Sequence, residues 1–431
     1  MGPQEEGTAG HVTGLQCLRC GTTFPPVEMP RGCPACADAP GASNVTPVYA
    51  RGLQGDALRA MVARGPASLW RYRPMLPGDG PPVTLNEGWT PLVPLARLGA
   101  AWGLSRLAAK DETRNPTGSF KDRMCAIAFT RARAVGARVV ALASSGNAGA
   151  AAAAYAARAG LRCVVLTTPD APEALQRQMQ ALGALLIATP TSAERWTLLQ
   201  ACVEELGWYP LTNFLTPPVG SNAFGLEGYK TIAFELCEAR GWRPPDWVVV
   251  PTCYGDGLWG IVKGFLEARE RGLTDRVPRV AAAEVFGPLA AALATGAAAV
   301  APVPAGPSVA VSIAAGTSTY QALHALHAVD GRAVVVDDAA ILDAQAHLGE
   351  VEGIFVEPAS AAALAAARTL RAEGALREDD DVVVILTATG LKDVRAVART
   401  RPAVPVVAPR VDALLKALTE RYGSDMVPSA R

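Results

Sequence analysis

The sequence has no apolar run approaching the roughly eighteen residues of a membrane-spanning helix. Its longest small-residue stretch, Ala148 to Ala159, is short and alanine-rich. No basic segment followed by an apolar core opens the chain, so no secretory leader is expected and a cytoplasmic setting is. No charge of one sign is in excess. The 40 basic and 40 acidic side chains cancel, which leaves no electrostatic footprint for a nucleic acid. Neither a Walker A motif nor a Rossmann pattern is read in the chain, so nucleotide binding is not expected. What is there is a folding composition: half the 431 residues are apolar and 19% are charged, enough for a large core and for two domains or more.

The nine cysteines do not form a disulfide framework. Cys125, Cys163, Cys202, Cys237 and Cys253 are scattered through apolar segments and read as buried thiols. The other four are organised. Cys17-Leu18-Arg19-Cys20 is followed after twelve residues by Cys33-Pro34-Ala35-Cys36, two pairs that aim four thiolates at one ion. Gly21 and Gly32 beside them suit tight turns. A four-thiolate site has no open position, so a structural Zn2+ in a zinc-ribbon-like module is expected, with Cys17, Cys20, Cys33 and Cys36 as ligands. Residues 1–14 read as a disordered lead-in and 37–48 as a linker.

From Arg133 onward the pattern alternates strand and helix. Apolar strands are expected at 138–143, 162–167, 184–188, 246–251, 279–284, 331–336 and 381–386, with helices between them. Strands apolar throughout, separated by helices, imply an α/β fold with parallel-rich sheets covered on both faces. Two such units, one nested between the halves of the other, fit the order. Ligands in such folds bind where strand ends meet helix starts.

Four segments carry the chemistry. In Asn115-Pro116-Thr117-Gly118-Ser119-Phe120-Lys121-Asp122-Arg123, a turn runs into a helix, and Ser119 with Asp122 reads as a capping box. Lys121 therefore falls in the first helical turn, where the helix dipole disfavours positive charge. A lysine there suits a cavity and a carbonyl partner. Ser144-Ser145-Gly146-Asn147-Ala148-Gly149 joins a strand to a helix, with small residues and free amides that suit a carboxylate. Tyr254-Gly255-Asp256-Gly257-Leu258-Trp259-Gly260 is a glycine-rich strand-to-helix turn suited to a phosphate, although Asp256 must point away from one. Thr387, in Leu386-Thr387-Ala388-Thr389-Gly390-Leu391-Lys392-Asp393, offers a hydroxyl to a heteroaromatic nitrogen at a strand end. Arg114, Arg123, Lys230 and Thr113 are candidate donors to a substrate phosphate. His324 and His327 read as ordinary helix residues.

In that order, and with Glu87-Gly88-Trp89-Thr90-Pro91-Leu92 and Glu227-Gly228-Tyr229-Lys230-Thr231, these motifs resemble the tryptophan-synthase-beta-like (fold type II) pyridoxal-phosphate enzymes, and within them the threonine synthase group. The likeness covers about residues 50 to 400. It implies a large cofactor-binding domain of residues 49–135 and 245–431, a smaller αβ domain of 136–244, and the cysteine module in 1–48. It implies that Lys121 holds pyridoxal 5'-phosphate as a Schiff base, with Phe120 near the ring, Asn147 on the phenolic oxygen and Thr387 facing the pyridine nitrogen. Gly255, Asp256, Gly257, Leu258 and Trp259 would cradle the phosphate. Thr113, Ser144, Ser145, Gly146, Ala148 and Gly149 would bind substrate. The implied reaction is a lyase step in threonine biosynthesis, O-phosphohomoserine and water giving threonine and phosphate, in a homodimer without membrane or nucleic-acid partners. Threonine dehydratase, diaminopropionate ammonia-lyase and cysteate synthase chemistry stay open beside it, as does a non-catalytic cofactor scaffold. The chain departs from the group at Asn86, Asp256 and Ala388-Thr389.

Overall fold

The computed structural model describes residues 10–39, 41–78, 80–399, 401 and 403–422. Residues 10–392 belong to one compact unit and 393 onward to a second, which contains the helix Val411–Tyr422. Among the described residues of the first unit there are thirteen strands: β1 (Val12–Cys17), β2 (Thr23–Phe24), β3 (Val45–Tyr49), β4 (Leu92–Pro94), β5 (Arg106–Asp111), β6 (Val139–Ala143), β7 (Arg162–Thr167), β8 (Leu185–Ala188), β9 (Tyr209–Pro210), β10 (Trp247–Pro251), β11 (Arg279–Glu284), β12 (Arg332–Val335) and β13 (Asp381–Leu386).

They form three sheets. One has the order β12-β11-β10-β13-β5-β4, a second β8-β7-β6-β9, and a third β2-β1-β3. Every pairing in the first two is parallel except that of β4 with β5. The four-stranded sheet is thus an insertion between β5 and β10 of the six-stranded one. Parallel strands need helical crossovers, which cover both faces. Accordingly β10 and β13 are buried along their whole length. The helix Pro358–Ala372 is nearly all alanine on its inner side, and these small side chains lie in the same apolar core as β13.

The first 48 residues differ from expectation. Residues 12–14, read as lead-in, begin β1, and the expected linker ends in β3. The two pair from Val12–Tyr49 to Cys17–Val45, a ladder that only long-range contact reveals. Residues 1–9 of the lead-in lie outside the described residues. A buried charge cluster ties β3 to the body. Tyr49 Oη donates to Glu227 at 2.6 Å, and Lys263 Nζ donates to Thr46 Oγ1 and the Pro47 carbonyl, each at 2.8 Å.

A second buried cluster sits under the Lys121 segment. Arg123 is fully buried. Its Nε and Nη2 donate to Glu112 at 2.7 Å, and its Nη1 and Nη2 to Glu235 at 2.6 and 2.8 Å. Lys110 Nζ adds a bond to Glu235 at 2.6 Å. Glu112 and Asn115 lie in the turn before the Lys121 helix, and Asn115 Nδ2 donates to Glu112 at 2.8 Å. Burial alone raises the Glu235 carboxyl, but Arg123 and Lys110 overcome it and hold the group down to about 2.

Replacing one partner of such a cluster strands the others without solvent. Glu235→Gln is expected to lower unfolding free energy by about 3–5 kcal/mol in urea melts. Because the folded value of Glu235 lies below its ordinary 4.5, its contribution is complete above that pH and is lost as pH falls toward about 2. Acid melts of the wild type and Glu235→Gln should converge over that window.

Candidate active site

Lys121 opens the helix Lys121–Ala134, as its sequence implies, but not by the expected capping box. The preceding Phe120 is already helical, and Ser119 makes no cap. Its hydroxyl is buried without a hydrogen-bond partner. Asp122 instead turns back to accept from Thr117 N and Thr117 Oγ1, both at 2.8 Å. Gly118 at φ +76° makes that reversal possible, so the carboxylate closes the turn rather than the helix. Burial raises Asp122 to about 7, against the pull of its Thr117 bonds and of Lys392.

The Lys121 amine has no hydrogen bond or ion pair among the described residues. It lies 4.8 Å from the Phe120 ring centroid and 5.5 Å from that of Tyr229. Phe120 N donates to the Thr387 carbonyl at 2.9 Å, which brings the end of β13 to the lysine. Thr387 Oγ1 is 2.8 Å from Ser360 Oγ. Asn147, the first residue of the helix Asn147–Ala159, is buried. Its Nδ2 donates to Glu357 at 3.2 and 3.0 Å, and its Oδ1 accepts from Lys392 Nζ at 2.8 Å. Burial lowers the Lys392 amine, while Glu357 and Asp122 act the other way.

The glycine loop joins β10 to the helix Asp256–Glu270. The amides of Asp256, Gly257 and Leu258 take no hydrogen bond among the described residues, as expected for an open helix start. Contrary to the expectation that no Rossmann pattern occurs, Gly255, Gly257 and Gly260 stand at G-x-G-x-x-G spacing, and each has a steric reason. Gly255 has φ +82°, and a Cβ there would lie 2.2 Å from Ala322 Cβ. At Gly257 a Cβ would meet Phe120 Cε2 at 2.7 Å, and at Gly260 it would meet Tyr229 Cβ at 2.5 Å. The glycine loop, Phe120 and Tyr229 therefore close on one another around the lysine. Asp256 does point away, as a phosphate would require. It accepts from Ser221 Oγ and from Gln321 Nε2, both at 2.5 Å.

Ser144 Oγ accepts from Gly146 N at 3.2 Å and from Gly149 N at 3.0 Å, so it folds its own loop. Ala148 is half-buried beside it, and a Cβ on Gly149 would meet Met179 Sδ at 2.6 Å. Ser145 Oγ accepts from Arg195 Nη1 at 2.6 Å. Sequence reasoning missed Arg195, which lies on the helix Ser192–Leu206, remote from every motif. Its neighbour Trp196 packs on Tyr254 of the glycine loop at 5.6 Å. Arg195 is half-buried, its Nε has no partner, and no carboxylate pairs with it among the described residues. Burial lowers its pKa. Glu357 and Lys392 were missed as well, because a Glu before Pro and a Lys after a glycine turn are unremarkable until folding brings them to Asn147.

The proposed phosphate donors Arg123 and Lys230 need correcting. Arg123 spends every N–H on Glu112, Glu235, Thr231 and Thr90. Lys230 is buried between Glu227 and Glu267, at 2.5 and 2.8 Å. Both are core charges. Arg114 pairs with Asp111 at the surface, and Thr113 Oγ1 donates to Asp111 Oδ1 at 2.5 Å, within their own turn.

A free amine beside two aromatic rings, a hydroxyl at a strand end and an open helix start are the donor set a pyridoxal phosphate needs. A profile described as "Pyridoxal-phosphate dependent enzyme" matches residues 83–388, from ahead of the Glu87 motif to Ala388. The chain belongs to that family. Among curated relatives, a threonine synthase of Methanocaldococcus jannaschii is 34% identical, over 89% of this chain and 94% of its own. One of Methanosarcina acetivorans is 35% identical, over 94% and 98%. Solved structures share the fold. Maize serine racemase superposes with a TM-score of 0.62 at 23% identity, covering 72% of this chain and 91% of its own. The Escherichia coli diaminopropionate ammonia lyase gives 0.63 at 19%, covering 75% and 91%. The α/β architecture of two parallel-rich sheets is the fold type II arrangement of the family.

Two departures have physical readings within it. Asn86 has φ +64°, the left-handed conformation that asparagine tolerates best after glycine. Asp256 is neutralised as a threat to a phosphate by its turn toward Ser221 and Gln321.

Near the N-terminus, the Sγ atoms of Cys17, Cys20, Cys33 and Cys36 all lie within 4.8 Å of one another. Cys17–Cys36 is 3.8 Å and Cys20–Cys33 is 3.7 Å. Zn–S bonds of about 2.3 Å in a tetrahedron put sulfurs about 3.8 Å apart, so the four thiols fit that ion as a candidate site. Among the described residues no helix is long and apolar enough to cross a membrane.

Gly255→Ala should destabilise the chain by about 1–2 kcal/mol from the left-handed backbone alone. The Ala322 contact adds to this. Thermal melts, with titration of the variant by pyridoxal phosphate, should show both lower stability and weakened uptake.

Proposed function

We propose that this chain converts O-phosphohomoserine and water to threonine and phosphate. The reading is carried by Arg195. A half-buried guanidinium without a carboxylate, held by Ser145 and flanked by the glycine loop, suits an anionic substrate group. Similarity to threonine synthases along nearly the whole chain supports the same substrate.

In this proposal Lys121 Nζ would hold the cofactor covalently, with Phe120 beside its ring and Asn147 at its phenolic oxygen. Thr387, whose Oγ1 lies 2.8 Å from Ser360 Oγ, would face the pyridine nitrogen with its hydroxyl. The open amides of Asp256, Gly257 and Leu258 hold the phosphate, with Gly255 and Trp259 shaping the loop. The cofactor, when bound, supplies the electron sink. The chain supplies the rest. Ser144, Ser145, Gly146, Ala148 and Gly149 form the carboxylate loop. Lys121 would move protons at the α carbon, because its amine would already be within reach. For the conversion to balance, the α and β carbons each give up a proton as phosphate leaves the γ carbon, the γ carbon gains a proton, water adds at the β carbon, and a proton returns at the α carbon. Thr113, whose hydroxyl donates to Asp111 Oδ1, belongs to the proposal as a further substrate contact. The large domain (49–135 and 245–431), the smaller domain (136–244), a homodimer and a structural zinc belong to the same proposal.

The test is a panel of O-phosphohomoserine, O-phosphoserine, serine, threonine and diaminopropionate, with threonine, phosphate and ammonia measured. Threonine with equal phosphate is expected from the first compound. Turnover of β-substituted compounds alone sinks the reading. Lys121→Ala should lose both turnover and the visible band of the lysine-bound cofactor. Arg195→Gln should raise KM for O-phosphohomoserine about 30-fold or more, the effect of removing one member of a buried charge pair.

A further inference from the structure

The glycine loop is gripped from outside the active site. Thr319 Oγ1 donates to the Tyr254 carbonyl at 2.6 Å and Ser318 Oγ to that of Cys253 at 2.9 Å. Gln321 is fully buried, on the helix Tyr320–Ala328, and its Nε2 takes Asp256. Gln321 Oε1 in turn accepts from Asn44 Nδ2 at 3.1 Å, which also donates to the Ser221 carbonyl at 3.0 Å. Ser221 is the other residue holding Asp256. A Cβ on Gly220 would lie 2.7 Å from both Asn44 Nδ2 and Gln321 Nε2, so the three segments meet without room to spare.

Asn44 belongs to the cysteine module. Its carbonyl accepts from Leu18 N, between Cys17 and Cys20, at 3.4 Å. The carbonyl of its neighbour Ser43 accepts from Cys33 N at 2.8 Å. A second contact runs in parallel. Arg19, inside the first cysteine pair, lies 5.3 Å from the Tyr320 ring centroid. Tyr320 stacks on His324 at 6.1 Å, and His324 meets Trp259 of the glycine-loop helix at 5.3 Å. Both routes start between metal-ligand candidates and end on the loop read as the phosphate cradle.

We propose that the four-cysteine module is a positioning element for the cofactor's phosphate site, with Asn44 and Gln321 as positioning residues that hold Asp256 turned away from the cradle. Ordering of the module by metal then fixes Asn44, and through Gln321 keeps the Asp256 charge off the phosphate. The inference rests on the cradle reading but not on the identity of the substrate.

The experiment compares pyridoxal phosphate with pyridoxal, which has no phosphate, by titrating full-length protein and reading the visible band of the lysine-bound cofactor. Losing one buried hydrogen bond in the relay is worth about tenfold. Asn44→Ala should therefore bind pyridoxal phosphate about tenfold more weakly and pyridoxal unchanged. Gln321→Met keeps the bulk and should give the same shift, which serves if Asn44→Ala fails to fold. Stripping zinc-loaded wild type with a chelator should lower the preference for phosphate by a similar factor, and stripping Asn44→Ala should lower it no further. Equal weakening of both ligands in either variant, no weakening, additive effects of stripping and mutation, or failure to take up zinc each overturns the proposal. Wild-type protein that binds both ligands equally tightly would instead remove the cradle reading itself, which separates the two failures.

Discussion

The buried guanidinium of Arg123 is the constraint on which the rest of the site depends. It lies two residues beyond Lys121 on the same helix and is held by two carboxylates, Glu112 and Glu235, from different parts of the chain. Glu112 comes from the turn after β5, and Glu235 from the helix Lys230–Glu238, which follows the inserted four-stranded sheet. A charge this deep is tolerable only if every donor is matched. That requirement fixes the helix start relative to β5 and to the segment around Thr90, whose backbone amide also bonds Glu235. The lysine next door is then free of partners of its own, its amine set against aromatic rings and not against a carboxylate.

Around that lysine the chain uses one device repeatedly: strand ends feeding helix starts, with small residues where the backbone must come close. β6 leads into the Ser144–Gly149 loop, β10 into the glycine loop and β13 into Thr387. Each presents donors of a different kind, namely loop and helix-start amides, first-turn amides and a hydroxyl. The charges nearby are segregated. Asp256 is turned outward to Ser221 and Gln321, Glu357 and Lys392 are tied to Asn147, and Arg195, like Lys121, has no ion-pair partner among the described residues. This segregation of charge is what the proposed anionic substrate and cofactor phosphate would require.

The motifs were legible because their chemistry is local. A lysine at a helix start, a glycine-rich turn after an apolar strand and paired cysteines at short spacing each carry a physical reason within a dozen residues. The strand and helix succession from Arg133 was legible for the same reason, since apolar runs and helical spacing are properties of short windows. The capping box was misread because Ser119 and Asp122 satisfy its spacing, yet the positive φ at Gly118 lets Asp122 reach Thr117 instead. β1 and β3 were misread because a β ladder is a contact between distant segments, and neither strand has a strong pattern alone.

Residue type and spacing alone carried the α/β class, a lysine at a helix start, the glycine loop, the four-thiol set and membership of a pyridoxal-phosphate family. Only the tertiary structure decided which charges are structural and which are available. In the sequence Arg123, Lys230 and Arg195 are simply three basic residues. Folding buries the first two among carboxylates and leaves the third beside Ser145 with none. It likewise decided that the cysteine module reaches the glycine loop through Asn44 and Gln321, since a hydrogen bond across 277 residues of chain depends on packing and leaves no local trace.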